Sequence, residues 1–91
     1  MERTTTERGF GLYKFLDTYQ NECHIQKSSS GTEYRIWFGI HNPRTKILSE
    51  KGWVDYPIHP RVLIESSMHL NQVQVRILLP TLQKFVETGE I

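Results

Sequence analysis

The pattern of hydrophobic and polar positions predicts an antiparallel sheet in the first half of the chain. Residues 12–19 and residues 22–27 each alternate apolar and polar side chains, and Gln20 and Asn21 between them favour a turn, so the two segments predict a β-hairpin. The next segment, residues 33–40, alternates most regularly and predicts a central strand. Its apolar face carries Tyr34, Ile36, Phe38 and Ile40.

The pattern weakens over residues 41–60, where prolines interrupt any regular ladder. We expect a long excursion there, containing a short edge strand formed by Ile47-Leu48 and Trp53-Val54, with the Trp53 ring buried as an anchor. Apolar positions then return between Arg61 and Leu70, which predicts a fourth strand.

The C-terminal segment predicts a helix with signals at both ends. Asn71 is a favoured N-cap, Gln74 stands at the capping-box position, and Gly89 suits the left-handed residue that ends a helix. Pro80 lies inside and predicts a kink near Arg76 to Leu79, or two short helices that meet there. We call the apolar face of this helix the helix stripe: Val75, Leu78, Leu79, Leu82, Phe85 and Val86.

These elements predict the α+β class: a three- to four-stranded antiparallel sheet packed by one C-terminal helix kinked near Pro80. A chain of 91 residues holds one hydrophobic core, so we expect a single domain over residues 9–91. Residues 1–8 are charged and rich in threonine, which favours a flexible leader outside the core.

The net charge and the cysteine content limit the kinds of recognition and the cellular compartment that the sequence favours. The formal net charge of +1 supplies no global field for nucleic acid or acidic lipid, so charge-driven recognition must be local. A single cysteine, Cys23, cannot form an internal disulfide, which favours a reducing compartment. With no apolar run long enough for a membrane span, we expect a cytoplasmic protein without membrane association.

Catalytic patterns are weak, so we expect no enzyme, no cofactor and no metal. Gly9 and Gly11 precede the first strand and do not form a phosphate loop. The histidines show no ligand spacing and are expected on the surface. Cys23 shares a strand face with Ile25, which favours an inert core thiol over a nucleophile, and the serines at 28–30 are typical of a solvated linker.

One candidate binding surface is the outward face of the central strand. Arg35 and Trp37 are neighbours there, and Lys14 or Lys27 from adjacent strands would complete a basic surface with an aromatic platform. Such a surface suits single-stranded nucleic acid or a protein hot spot. In the alternative, the excursion covers Trp37 and leaves Arg35 as a solvated charge.

The second candidate is the excursion itself. Trp53, Tyr56, Ile58 and Arg61 lie among prolines, and long loops in small domains commonly carry function. In the alternative, this loop simply wraps the core.

Several segments together resemble a family of short uncharacterised proteins of bacteriophages and prophages. The resemblance covers most of the chain from Gly9 onward and implies a phage-type accessory protein, without implying any catalytic or binding residue. The segments are Phe15–Tyr19 (FLDTY), Cys23–Ser29 (CHIQKSS), Ile36–Gly39 (IWFG), Gly52–Ile58 (GWVDYPI), Met68–Leu70 (MHL), Gln74-Val75 and Leu82–Gly89 (LQKFVETG).

Two functions follow as expectations. The first is a protein that binds and modulates, in the sense of inhibiting, a host protein or complex such as a defence nuclease, as an anti-CRISPR protein does. The alternative is a nucleic-acid-binding module that uses Lys14, Lys27, Arg35 and Trp37. An unpaired sheet edge leaves both a monomer and a homodimer open.

Overall fold

The computed structural model describes all 91 residues and confirms the α+β class. The elements are β1 (Arg3–Thr5), β2 (Gly11–Leu16), β3 (Glu22–Lys27), β4 (Arg35–Ile40), β5 (Lys46–Ser49), β6 (Gly52–Asp55), β7 (Ser67–Asn71) and one helix, α1 (Gln72–Thr88). Five strands form one antiparallel sheet in the order β1-β2-β3-β4-β7, and β5 pairs with β6 in a separate two-stranded sheet.

The main sheet has one strand more than the predicted three or four. Residues Arg3–Thr5, which we expected in a flexible leader, form β1 and pair with β2 in the register Arg3 to Tyr13. The threonines there suit an edge strand, although their side chains stay exposed. The leader therefore extends the sheet without adding to its core.

The predicted hairpin is confirmed as β2 and β3, with Phe15 opposite Cys23. Its turn is held by the Asp17 carboxylate, which accepts the backbone N–H groups of Tyr19 and Asn21 at 2.9 Å each. The Asn21 side chain also donates to Asp17, and these bonds lower the pKa of the Asp17 carboxyl below its ordinary value. Gln20 in this turn has a positive φ of 66°, which is unusual for a residue other than glycine.

The antiparallel register divides the sheet into two chemically different faces. We call the apolar one the open face; opposite pairs such as Ile25 with Phe38 and Ile36 with Leu70 lie on it. The other is the polar face, where Lys14 lies opposite His24 and Trp37 opposite His69. The open face consists of Tyr13, Phe15, Ile25, Ile36, Phe38, Ile40, Met68 and Leu70, with Cys23 and Lys27 in the same rows.

Strand β7 lies unusually close to β4 at Gly39. A Cβ placed on Gly39 would clash with the Ser66 carbonyl oxygen and lie 2.7 Å from the Cα of Ser67. The Ile40 N–H donates to that same Ser66 oxygen at 3.0 Å. Glycine at position 39 therefore permits the pairing that carries β7, and α1 after it.

Both predicted ends of the helix are confirmed. Asn71 accepts the Gln74 N–H at 2.9 Å, and the Gln74 side chain accepts the Asn71 N–H at 2.9 Å, so the capping box is complete. Gly89 ends the helix in the left-handed conformation with φ 77°. The kink near Pro80 stays a prediction.

The expectation that the helix covers the sheet is wrong for a single chain. None of its residues is buried, and its main contacts are with β7, the strand that precedes it. The physical reason is the junction: Asn71 is both the last residue of β7 and the N-cap of α1, so there is no linker in which the chain can turn back. Most of the helix stripe and of the open face therefore stays uncovered.

The excursion also differs from the prediction. Ile47-Leu48 and Trp53-Val54 form the two strands of their own hairpin, β5–β6, and neither joins the main sheet. The Trp53 side chain is 66% exposed, so it is not a buried anchor. The predicted fourth strand is present but begins only at Ser67.

The chain as a whole is extended and buries little. Its radius of gyration is 16.1 Å, against about 12 Å for a compact domain of this length. Four residues are buried: Leu12, Cys23, His24 and Ser28. Cys23 is thus a core residue, as predicted.

Candidate partner-binding surfaces

The helix and the open face meet in an apolar groove of about 550 Å³. Ile36 and Leu70 line it from the sheet, and Val75 and Leu79 line it from the helix. Tyr34 also lines the groove, with the Lys27 ammonium 4.5 Å from the centre of its ring. The groove is thus a concave surface that combines apolar side chains with the cations Lys27, Arg35 and Arg76.

The polar face contains a histidine pair. Nδ1 of His24 and Nδ1 of His41 are 2.8 Å apart, and Nε2 of His24 is 3.0 Å from Oγ of Ser67. The Ser67 hydroxyl donates to the Ile40 carbonyl oxygen at 3.1 Å. Since its hydrogen is used there, Ser67 accepts from His24, which places the His24 hydrogen on Nε2. Nδ1 of His24 then accepts the Nδ1–H of His41.

This arrangement favours the neutral form of His24. The side chain is 9% exposed, and its burial, the neighbouring His41 and the Lys14 ammonium lower the pKa of His24 below its ordinary value. A proton added at Nδ1 would point at the nitrogen that His41 uses as a donor. The pair is therefore a structural network that is sensitive to acid.

A second histidine network holds the loop after β3. Nε2 of His69 is 2.8 Å from Oγ of Ser28, whose oxygen also accepts the Ser30 N–H at 3.1 Å. The Trp37 and His69 rings stack in parallel with centroids 3.9 Å apart. Ser28 is 4% exposed, so this serine–histidine contact fixes the loop against the sheet and gives the hydroxyl no access to a substrate. The prediction of a solvated serine linker is wrong at Ser28.

The structure does not assemble all four residues of the first predicted surface. Lys14 and Trp37 lie on the polar face, and Arg35 occupies the same row of β4. Lys27 pairs with Ile36 and belongs to the open face. The predicted surface therefore loses one of its three cations.

Arg35 is also engaged within its own loop. Its guanidinium donates to the Glu33 carboxylate at 2.7 Å and to the Ser30 hydroxyl at 2.9 Å. Trp37 is 36% exposed, with one side of its ring against His69. Lys14 is the cation of this face without an ion pair in the structure.

The hairpin β5–β6 carries the most exposed aromatic residues of the second predicted surface. Trp53 lies opposite Leu48 across the two strands, and both side chains are more than 60% exposed. Tyr56 follows β6 and is 53% exposed. Arg61 lies further along, in the segment leading to β7, outside the hairpin.

Contacts within the hairpin hold its two strands together. At its base, the Tyr56 N–H donates to the Thr45 carbonyl oxygen at 3.0 Å, and the Thr45 hydroxyl donates to the Tyr56 carbonyl oxygen at 2.5 Å. At its tip, Ser49 donates to the Gly52 carbonyl oxygen at 2.9 Å. The hairpin thus presents Leu48 and Trp53 from a defined backbone.

Sequence reasoning missed the histidine pair. His24 was expected on the surface, whereas it is buried beside His41. The signal was present: the register pairs His24 with Gly39, so His41 lies diagonally opposite His24 in the same row.

The chain matches no family model, no curated protein and no solved structure. Among the helices of the structure, none has the length and apolar content to cross a membrane.

Proposed function

We propose that this chain is an accessory protein that binds a host macromolecule and modulates it, in the sense of inhibiting it. The surface that makes the contact is the hairpin β5–β6 with Tyr56. The observation that carries this proposal is the exposed pair Leu48 and Trp53, displayed on a hairpin that forms its own sheet, separate from the main one.

The hairpin has the chemistry of a protein-binding hot spot. Tryptophan and tyrosine lead among residues that dominate interface energies, and they do so when a partner desolvates them fully. An isolated two-stranded hairpin is marginally stable in water. The free protein loses stability by exposing Trp53, Leu48 and Tyr56 on such an element. A partner that covers these side chains would remove that loss.

The kind of target comes from the sequence resemblance to phage accessory proteins. Such a role makes a host defence nuclease or its complex the expected partner, and places the function in the anti-CRISPR class. A small chain can inhibit a nuclease by occupying the surface through which it binds or cuts nucleic acid. The proposal needs no chemical step from this chain.

The test is affinity purification from host cells, followed by titration of the purified partner by calorimetry. Trp53→Ala is expected to weaken binding at least tenfold, since loss of a hot-spot tryptophan exceeds about 2 kcal/mol. The effect on the partner's nuclease activity is measured with the same two proteins, and inhibition is expected to fall in parallel.

Ile77→Ala is the matched control. Ile77 is also exposed and apolar, but it lies on the helix opposite the helix stripe. It should change the affinity less than twofold. A partner that binds the Trp53→Ala variant as tightly as the unmodified chain would contradict the proposal.

Nucleic-acid binding is the second candidate, supported by Lys14 and Trp37 on one face. Because phosphate contacts release counterions, affinity for a labelled oligonucleotide would fall steeply with salt. Trp37→Ala and Lys14→Gln would each weaken it, whereas Trp53→Ala would not. Absence of binding at low ionic strength would remove this candidate.

A further inference from the structure

We propose that the open face and the helix stripe are covered by a second copy of this chain. In this homodimer, the helix of each copy lies on the open face of the other. The proposal is independent of the hairpin and of the function assigned to it.

The first argument is that one chain carries both halves of an unfinished core. The open face presents partly exposed side chains such as Phe15 and Phe38, whose rings meet edge to face at 6.5 Å between centroids. The helix stripe presents Leu82 and Phe85, both more than half exposed. In α+β domains, helices pack against the apolar face of the sheet. A second copy would supply a helix for the open face and a sheet for the helix stripe.

The second argument is the junction between β7 and α1. Asn71 belongs to both elements, and its capping box with Gln74 fixes the direction in which the helix leaves the sheet. Folding the helix over its own sheet would need a turn, and the turn would break both capping hydrogen bonds. A partner's helix can reach the open face with the capping box intact.

The third argument is the surface area. A compact monomer of 10.7 kDa exposes about 5,500 Å², whereas this chain exposes 7927 Å². The excess of about 2,400 Å² compares with the roughly 1,000–2,500 Å² that each subunit buries in an obligate dimer. The unburied surface is therefore as large as a permanent interface.

The fourth argument is the match in size. A helix of 17 residues is about 25 Å long. Five strands side by side span about 19 Å, and a six-residue strand spans about 20 Å. One helix laid diagonally therefore spans most of the length of the open face, and a twofold axis makes the exchange reciprocal.

The first experiment measures the mass of the full chain by light scattering across the micromolar range. The unmodified chain is expected at twice its monomer mass of 10.7 kDa. Leu82→Glu, in the middle of the helix stripe, is expected to weaken the dimer by more than a hundredfold. Ile77→Glu makes the same type of change on the opposite side of the helix and should leave the mass at the dimer value.

The second experiment needs no variant, so it decides the matter even if Leu82→Glu fails to fold. Isotope-labelled and unlabelled chains are mixed, and filtered nuclear Overhauser spectra detect contacts between copies only. Contacts between Phe85 of one copy and Phe15 or Phe38 of the other are expected. The proposal is overturned by a monomer at every concentration, by a dimer that Leu82→Glu leaves intact, or by helix–sheet contacts found within one copy only.

Discussion

The two faces of the main sheet differ in how their side chains find packing and hydrogen-bonding partners. On the polar face, His24, His41 and Ser67 satisfy one another, and Trp37 lies against His69. On the open face, apolar side chains line up in register, and no residue of the helix is buried against them. The polar face finds its partners within a single chain, and the open face is the surface that the proposed second copy would cover.

The difference follows from the range of the forces involved. Hydrogen bonds and ring stacking join neighbours in adjacent strands, so strand pairing alone completes them. Burial of apolar area needs another layer about 10 Å away, which strand pairing does not provide. Substitutions on the two faces should therefore have unequal effects.

The largest effect is expected from the comparison of Phe38→Ala with Trp37→Ala. Phe38 lies in the centre of the open face, and once a second layer covers it, its loss should lower the free energy of unfolding by about 3 kcal/mol. Trp37 precedes Phe38 in β4 but lies on the polar face. Trp37→Ala should lower the free energy of unfolding by about 1 kcal/mol, the value of the ring's stacking on His69. Urea unfolding at a fixed chain concentration measures both. An equal loss for the two variants would refute the distinction between the faces.

Gly39→Ala should have the next largest effect, because it forces β7 away from β4. Its methyl group would overlap the Ser66 carbonyl, and we expect a loss of about 2 kcal/mol in urea unfolding. Gly31→Ala is the control, since a Cβ there meets no atom within 4 Å. If Gly39→Ala were as stable as Gly31→Ala, β7 would not be held as closely as described.

Acid should weaken the polar face before it affects the open face. Burial lowers the pKa of His24 in the folded chain, so the unfolded chain binds the proton more readily. The stability that neutral His24 contributes is present above the unfolded value of about 6.5 and is lost as the pH falls towards the folded value. Thermal unfolding between pH 7 and pH 5 measures this loss. His24→Asn should flatten the pH dependence and Lys14→Met should reduce it; an unchanged profile in His24→Asn would assign the loss to other groups.

The smallest effect is expected in the turn between β2 and β3. Gln20 has a φ of 66°, which glycine adopts without strain, so Gln20→Gly should raise the midpoint of thermal unfolding by the equivalent of about 0.5 kcal/mol. Gln26→Gly makes the same change inside β3 and should lower the midpoint of thermal unfolding by the equivalent of about 1 kcal/mol. A loss of stability in both variants would mean that the conformation of Gln20 carries no strain.

Local features of the fold could be predicted from the sequence, because they depend on near neighbours. Asn71, Gln74 and Gly89 signal the ends of the helix, and alternation signals β2, β3 and β4. The face of the main sheet on which Lys27 lies was predictable too. It has the same parity as Cys23 and Ile25, so it shares their face and cannot join Lys14.

The packing of distant elements on one another could not be predicted from the sequence. An apolar stripe shows that a surface favours burial, but it does not show which element or which chain buries it. The prediction that the helix lies on its own sheet assumed a turn that Asn71 leaves no room for. The prediction of a buried Trp53 likewise assumed that a large ring finds a core, whereas β5 and β6 pair with each other away from the main sheet. Both errors concern contacts between distant parts of the chain.

The shared residue Asn71 also makes chain length at this point a determinant of the assembly. Inserting one residue within β7 would move every following strand position to the other side of the sheet. Inserting one residue in the first turn of α1 would rotate the rest of the helix by about 100° around its axis. The helix stripe would then point away from any open face. Natural variation in length should therefore be tolerated between Pro57 and Glu65 and be excluded from Ser66 to Gln74, because the number of residues in this stretch sets the direction in which the helix stripe points.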